Sequence, residues 1–136
     1  MSRILISSVI IGTVSGLMLL LFFAYIQMLS GINLMDLLLN TDFIFGGGPG
    51  LLTEIMLHLG MSIVIAFILK VVHVHRDWWY LPVTILLLLI VVALYFILQW
   101  AGDSVYISDN SIGFILWVIF HIGYFELVYY MYKSGY

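Results

Sequence analysis

The sequence contains no cysteine and very few charged residues. Because no Cys occurs among its 136 residues, disulfides, thiolate metal sites and cysteine nucleophiles are excluded. Charged residues make up only 8% of the chain, too few to cover the surface of a water-soluble domain of this length. Four Lys plus Arg and a net charge of −3 provide no basic patch for nucleic acid. No Ser-His-Asp array, nucleotide loop or zinc-protease motif supports an enzyme, so no catalytic residue is predicted.

What the sequence has in abundance is hydrophobic residues, at 65% of the chain. They form four runs, each long enough to cross the hydrocarbon core of about 30 Å as a helix. Helix is the expected structure because lipid offers the backbone no hydrogen-bond partners. We therefore predict an all-α membrane protein, a single domain over residues 1–136 built as a four-transmembrane-helix bundle. The predicted spans are 4–29, 51–72, 79–101 and 112–132.

The distribution of basic residues indicates the orientation of the bundle. Cytoplasmic loops and tails retain Lys and Arg, whereas the loops at 31–50 and 102–111 contain Asp and no basic residue. The sequence therefore predicts a multi-pass protein of the plasma or inner membrane with both termini in the cytoplasm. All four basic residues fall on that predicted cytoplasmic side: Arg3, Lys70, Arg76 and Lys133.

The first outer loop carries a helix signal. Asn33 stands at a capping position, Asp36 follows three residues later, and three leucines come directly after it. This pattern predicts a short helix over 33–40 that lies on the outer membrane interface.

Small residues recur every four positions on the first span, at Ser8, Gly12 and Gly16. Such a narrow face lets another helix backbone approach closely. The partner is either another helix of the bundle, a second copy of the chain in a homo-oligomer, or a different membrane protein. The lipid bilayer is the partner that composition alone predicts.

A short pattern repeats in the second and fourth spans. Residues 57–60 and 120–123 both read apolar-His-apolar-Gly, at corresponding places in two helical hairpins. Two duplicated hairpins are one of the repeat arrangements that small transporters use.

Four His and Glu residues fall inside the predicted spans, where each costs at least about 2.5 kcal/mol on insertion scales. Glu54 and His58 lie one turn apart and share a helix face. His121 and Glu126 are five positions apart, about 140° around a helix, and do not share one. At about 1.5 Å per residue the four form a ladder across the membrane, as proton relays do. Alternatively, both Glu residues reach the headgroups and both histidines are neutral and hydrogen-bonded between helices.

Two cofactor hypotheses use the same residues. His58 and His121 are candidate axial ligands of a haem b, with Gly60 and Gly123 making room for the porphyrin. A metal site is not predicted, because carboxylate metal bundles use Glu-x-x-His and further Glu residues that the other spans lack. Outside the haem alternative, we expect no cofactor.

The segments 57–67 and 120–126, with a polar loop before the last span, resemble the YagU-like small inner-membrane proteins. The resemblance covers residues 53–133. In that family a helix with His beside an apolar stretch is followed by a helix pair whose last member holds a His and then a Glu. The resemblance implies a multi-span inner-membrane protein linked to acid resistance, with His58, His121 and Glu126 as its recurring polar positions.

Three functional hypotheses follow. The leading one is a non-enzymatic membrane protein that responds to protons, or conducts them, through its buried His and Glu residues during acid or envelope stress. The second is a haem-binding electron carrier of the membrane. The third is a structural or assembly subunit whose small-residue face docks a larger membrane complex.

Overall fold

The computed structural model describes residues 2–45, 49–101 and 111–135. In these ranges the chain forms four long helices and two short ones. In chain order the helices are α1 (Ser2–Ser30), α2 (Leu34–Leu38), α3 (Asp42–Phe45), α4 (Leu51–His75), α5 (Tyr80–Ala101) and α6 (Ser111–Lys133), with a 3-10 turn at Asp77–Trp79. The described ranges contain no strand. Helices α1, α4, α5 and α6 are long and apolar enough to cross a membrane, α5 together with the turn before it. The prediction of an all-α membrane protein with a four-helix bundle is confirmed.

The outer surface of the bundle is apolar on every long helix. Large hydrophobic side chains such as Leu21, Leu52 and Leu89 point away from the other helices, and Leu52 is 75% exposed. A surface of this kind would be costly in water and is favourable against lipid chains. The chain is therefore a multi-pass membrane protein.

The long helices are neighbours in the ring order α1, α4, α5, α6. Neighbours run antiparallel, whereas α4 and α6 run parallel and face each other across the diagonal. We call the end where α1 ends and α4 begins the loop side. The opposite end, which holds the start of α1 and the end of α6, is the terminal side.

The closest helix pair is α1 with α4. A Cβ atom built on Gly12 would lie 2.5 Å from the Cα of Ile63, and one on Gly16 would lie 2.8 Å from the Ser62 hydroxyl oxygen. Ser8 is also buried, and its hydroxyl donates to the Ile4 carbonyl over 2.8 Å. The small-residue face predicted from the sequence thus lies inside the bundle, where it lets the two backbones approach.

Aromatic side chains connect α6 to the other helices. The indole N–H of Trp117 donates to the Val91 carbonyl of α5 over 3.0 Å, and the Tyr132 hydroxyl donates to the Ala66 carbonyl of α4. Hydrogen bonds between helices hold membrane bundles together where no hydrophobic effect drives association.

The segment 33–40, predicted as a short helix, contains α2, and α3 follows it. Helix α2 packs onto the bundle, with Leu34 only 1% exposed. The reason is Gln27 near the end of α1. Its Oε1 accepts hydrogen bonds from the backbone N–H groups of Met35 and Asp36, and its Nε2 donates to the Asp36 carboxylate over 2.8 Å. Gln27 therefore fixes the first turn of α2 against α1.

The helix ends lie within a few residues of the predicted spans. The largest shift is at α4, which continues to His75, three residues beyond the predicted end at 72. Residues 102–110, with two of the aspartates used to predict orientation, lie outside the described residues. The cytoplasmic placement of the termini stays a prediction.

Candidate functional site: a cavity within the bundle

A cavity of about 330 Å³ lies toward the loop side, between the four long helices and below α2 and α3. Most of its lining is aliphatic or aromatic. Pockets of about 300–1,000 Å³ with apolar walls and a few polar groups are typical of small-molecule sites. The polar side chains in the described lining are Thr41, Glu54, His58, Ser62, His121 and Tyr124.

The cavity brings together three of the four His and Glu residues that the sequence places within the membrane. Glu54 and His58 reach it from α4, and His121 reaches it from α6. Glu126 does not line it, because its side chain is exposed on another face of α6. The separation follows from the five-residue spacing between His121 and Glu126. In the described structure the cavity therefore holds three residues of the predicted ladder, and Glu126 is not among them.

His58 is held by the helix that packs against it. Its Nε2 lies 3.1 Å from the carbonyl oxygen of Gly16. Because a carbonyl can only accept, Nε2 carries the proton, and Nδ1 of the neutral ring keeps a lone pair. The absence of a side chain at Gly16 contributes to this contact, since it lets α4 approach α1 closely.

His121 is held by its own helix and is only 6% exposed. Its Nδ1 lies 2.7 Å from the Trp117 carbonyl oxygen, so Nδ1 carries the proton and Nε2 of the neutral ring keeps the lone pair. The ring centroid lies 4.5 Å from that of Trp117 and 5.6 Å from that of Phe23. His121 therefore sits against two aromatic rings and presents one proton acceptor.

A hydroxyl chain lies beside the histidines. The Ser62 hydroxyl donates to the Gly12 carbonyl over 2.7 Å. The one Tyr124 hydroxyl proton is shared between the Ser62 hydroxyl oxygen, 2.9 Å away, and the Ser62 carbonyl oxygen, 3.1 Å away. The sequence interpretation missed both residues. Their signal was spacing, because Ser62 follows His58 by four residues and Tyr124 follows His121 by three, which places each on the face of its histidine.

The Glu54 carboxylate has no cationic partner in the described part of the chain. It is half-buried and makes no hydrogen bond or ion pair there, and none of the four basic residues lines the cavity. The Thr41 hydroxyl oxygen is enclosed and likewise unpartnered among the described residues. With both histidines neutral, the cavity therefore presents mainly hydrogen-bond acceptors.

The described residues contain no group of three His, Asp or Glu side chains close enough to hold a metal ion. For a haem, His58 and His121 do line one cavity, but the glycines expected to make room for the porphyrin do not line it. Gly60 is exposed, and Gly123 lines a separate groove between α1 and α6. The haem hypothesis stays a prediction, and Gly60 and Gly123 do not provide the space that it assigned to them.

The two apolar-His-apolar-Gly segments place their histidines in the same cavity but bind them differently. His58 donates to the neighbouring helix α1, whereas His121 donates within α6. The duplication of the hairpins stays a prediction.

No protein family, curated protein or solved structure was found to match the chain.

Proposed function

We propose that this chain is a non-enzymatic integral membrane protein that responds to protons through His58 and His121. One observation carries the proposal. Two imidazoles line one cavity within the bundle, and each has one nitrogen bonded to a backbone carbonyl and a second nitrogen free to accept a proton. In water, histidine is the side chain whose charge changes between about pH 5 and pH 8.

Protonation changes the chemistry of the cavity in a defined way. Each free nitrogen turns from an acceptor into a donor, and each existing bond to a carbonyl becomes charge-assisted and stronger. Glu54, one turn from His58 on α4, supplies a negative charge for one imidazolium. The centroids of Trp117 and Phe23 lie 4.5 and 5.6 Å from that of His121, within the range of cation–π attraction. A fall in pH thus converts an acceptor-lined cavity into a donor-lined, positively charged one.

We favour proton response over proton conduction. A conducting path needs polar groups through the full thickness of the membrane, and Glu126 lies away from the cavity. The link to acid or envelope stress rests on the resemblance to the YagU-like proteins and on acid as the condition that charges imidazoles.

The short distance between His121 and Trp117 supplies the experiment. Replacing Trp78, Trp79 and Trp100 by Phe leaves Trp117 as the only tryptophan. An imidazolium 4.5 Å from an indole perturbs its fluorescence, so the emission of Trp117 is expected to titrate between about pH 8 and pH 4.

His121→Gln is expected to abolish that titration, whereas His75→Gln, at an exposed position on the terminal side, is the matched control and is expected to leave it intact. A titration unchanged in the His121 variant would overturn the proposal. Proteoliposomes with an internal pH dye are expected to show no proton flux above protein-free vesicles, and a Soret band in the purified protein would favour the haem alternative.

A further inference from the structure

The cavity has an electrostatic character that proton response alone does not explain. Its described lining contains one carboxylate, Glu54, and no Lys or Arg. Neutral His58 and His121 add two nitrogen lone pairs. His121 is deeply buried, and its second nitrogen makes no hydrogen bond in the described structure. The groups that complement such a cavity are cations and hydrogen-bond donors.

The residues that line the cavity indicate the character of the ligand beyond its cationic group. Trp117, Tyr124 and Phe125 contribute aromatic surface, and aromatic faces attract cations at separations of up to about 6 Å. Three exposed apolar residues of the lining mark the opening on the apolar flank of the bundle, which faces lipid: Ile44 of α3 and Leu57 and Met61 of α4. A ligand entering there comes from the bilayer and must itself be lipophilic.

We propose that the cavity binds a lipophilic organic cation, such as an aryl- or alkylammonium compound, in competition with protons. The ammonium group pairs with Glu54, and its apolar part lies against the aromatic wall. The competition rests on the proposed function, because it needs His58 and His121 to gain charge in acid. The binding of the cation at neutral pH does not rest on the proposed function.

The pH dependence follows from the groups that face the ligand. Helix α4 contributes Glu54 and His58, and α6 contributes His121 and Tyr124. Helices α1 and α5 and the segment from α2 to α3 contribute no titratable group to the described lining, and Asp36 is bound to Gln27. Imidazolium charges at the two histidines repel an organic cation, so acid is expected to release it.

A matched pair of probes separates charge from shape. Trimethylphenylammonium carries a cationic nitrogen where tert-butylbenzene has a neutral carbon, and the two are otherwise nearly isosteric. We would measure the binding of both to the full chain in non-ionic detergent by titration calorimetry. The cation is expected to bind at least about tenfold more tightly at about pH 7.5 than at about pH 4. The affinity of the neutral probe is expected to be independent of pH.

Two variants test the role of the carboxylate. Glu54→Gln is expected to weaken the cation by at least about fivefold and to leave tert-butylbenzene unchanged. Glu126→Gln removes a carboxylate of the same kind outside the cavity and is expected to change neither affinity. If Glu54→Gln does not fold, as judged by circular dichroism, the protein with Trp117 as its only tryptophan still decides the location, because bound cation is expected to change its fluorescence.

The outcomes separate the two proposals. Three results would each overturn the cation site. They are equal binding of both probes at pH 7.5, an unchanged cation affinity in folded Glu54→Gln, and no change in Trp117 fluorescence on addition of the cation. Trp117 fluorescence that follows His121 protonation while cation affinity ignores pH would overturn the competition and leave proton response standing. Preferential cation binding without a His121-dependent titration would support the site and overturn the proposed function.

Discussion

The hydroxyl oxygens of Tyr124 and Ser62 lie 2.9 Å apart and join α6 to α4 across the diagonal of the bundle. The Ser62 hydroxyl in turn donates a hydrogen bond to the Gly12 carbonyl of α1. One chain of hydrogen bonds therefore connects three of the four long helices. It lies at the level where α1 and α4 approach most closely, so polar contact and close packing reinforce each other.

Removing the Tyr124 hydroxyl tests this connection. Tyr124→Phe keeps the ring and removes the hydroxyl that contacts the Ser62 hydroxyl and carbonyl oxygens, so we expect the free energy of unfolding to fall by about 1 kcal/mol. Denaturant titration in detergent micelles, followed by circular dichroism, measures the change. The control is Tyr130→Phe, because Tyr130 is 70% exposed on the same helix. Equal effects of the two substitutions would contradict a specific role for the hydrogen bond.

The close contact of α1 with α4 at Gly12 is expected to be more sensitive to substitution. Gly12→Ala places a Cβ 2.5 Å from the Cα of Ile63, which requires backbone movement and is expected to destabilise the protein by about 2 kcal/mol or more. Gly60→Ala is the matched control, since a Cβ there meets no heavy atom within 4 Å. Ala favours helix over Gly by about 1 kcal/mol, so the control is expected to be neutral or stabilising in a thermal unfolding assay. Tolerance of alanine at both positions would contradict the close approach of α1 and α4 at Gly12.

The two histidines are expected to be opposite tautomers at neutral pH. The carbonyl acceptors place the proton of His58 on Nε2 and that of His121 on Nδ1. Nitrogen-15 NMR of histidine-labelled protein in micelles distinguishes protonated from unprotonated ring nitrogens. His58→Gln and His121→Gln assign the two signal sets. The same tautomer at both positions would mean that one of the carbonyl bonds is not formed.

The absence of cysteine makes the orientation directly testable. Ser30 ends α1 and Ser134 directly follows α6, on opposite sides of the bundle, and each hydroxyl donates to the carbonyl four residues earlier. Ser30→Cys and Ser134→Cys are therefore a matched pair. With both termini in the cytoplasm, a membrane-impermeant maleimide is expected to label the first in intact cells and the second only after permeabilisation. Labelling in the reverse order would place the termini outside.

Long apolar runs made the four membrane helices predictable, because no other structure satisfies the backbone in lipid. The divergence of His121 and Glu126 was equally readable from the angle of 100° per residue along a helix. In both cases the controlling interaction lies within one helix, and local sequence is sufficient.

Contacts between helices were not predictable in the same way. His58 meets Gly16 at a separation of 42 residues, and nothing near either residue specifies the other. Asn33 and Asp36 carry a local signal for a helix, but Gln27 fixes α2 from eight or nine residues away. Such partners depend on which helices become neighbours, and nearly uniform Leu, Ile and Val surfaces do not encode that choice visibly.

The hydrogen bonds between helices also imply an order of assembly. His58 and Ser62 bond to carbonyl groups of α1, so the first hairpin completes these contacts without any residue of α5 or α6. Tyr124 and Tyr132 belong to α6, which the ribosome makes after the other three long helices, and both bond back to α4. The first hairpin can thus insert and pair before α5 and α6 are made, whereas the diagonal between α4 and α6 closes only after α6 has been made. A chain truncated before α6 would keep the α1–α4 crossing and lack one wall of the cavity.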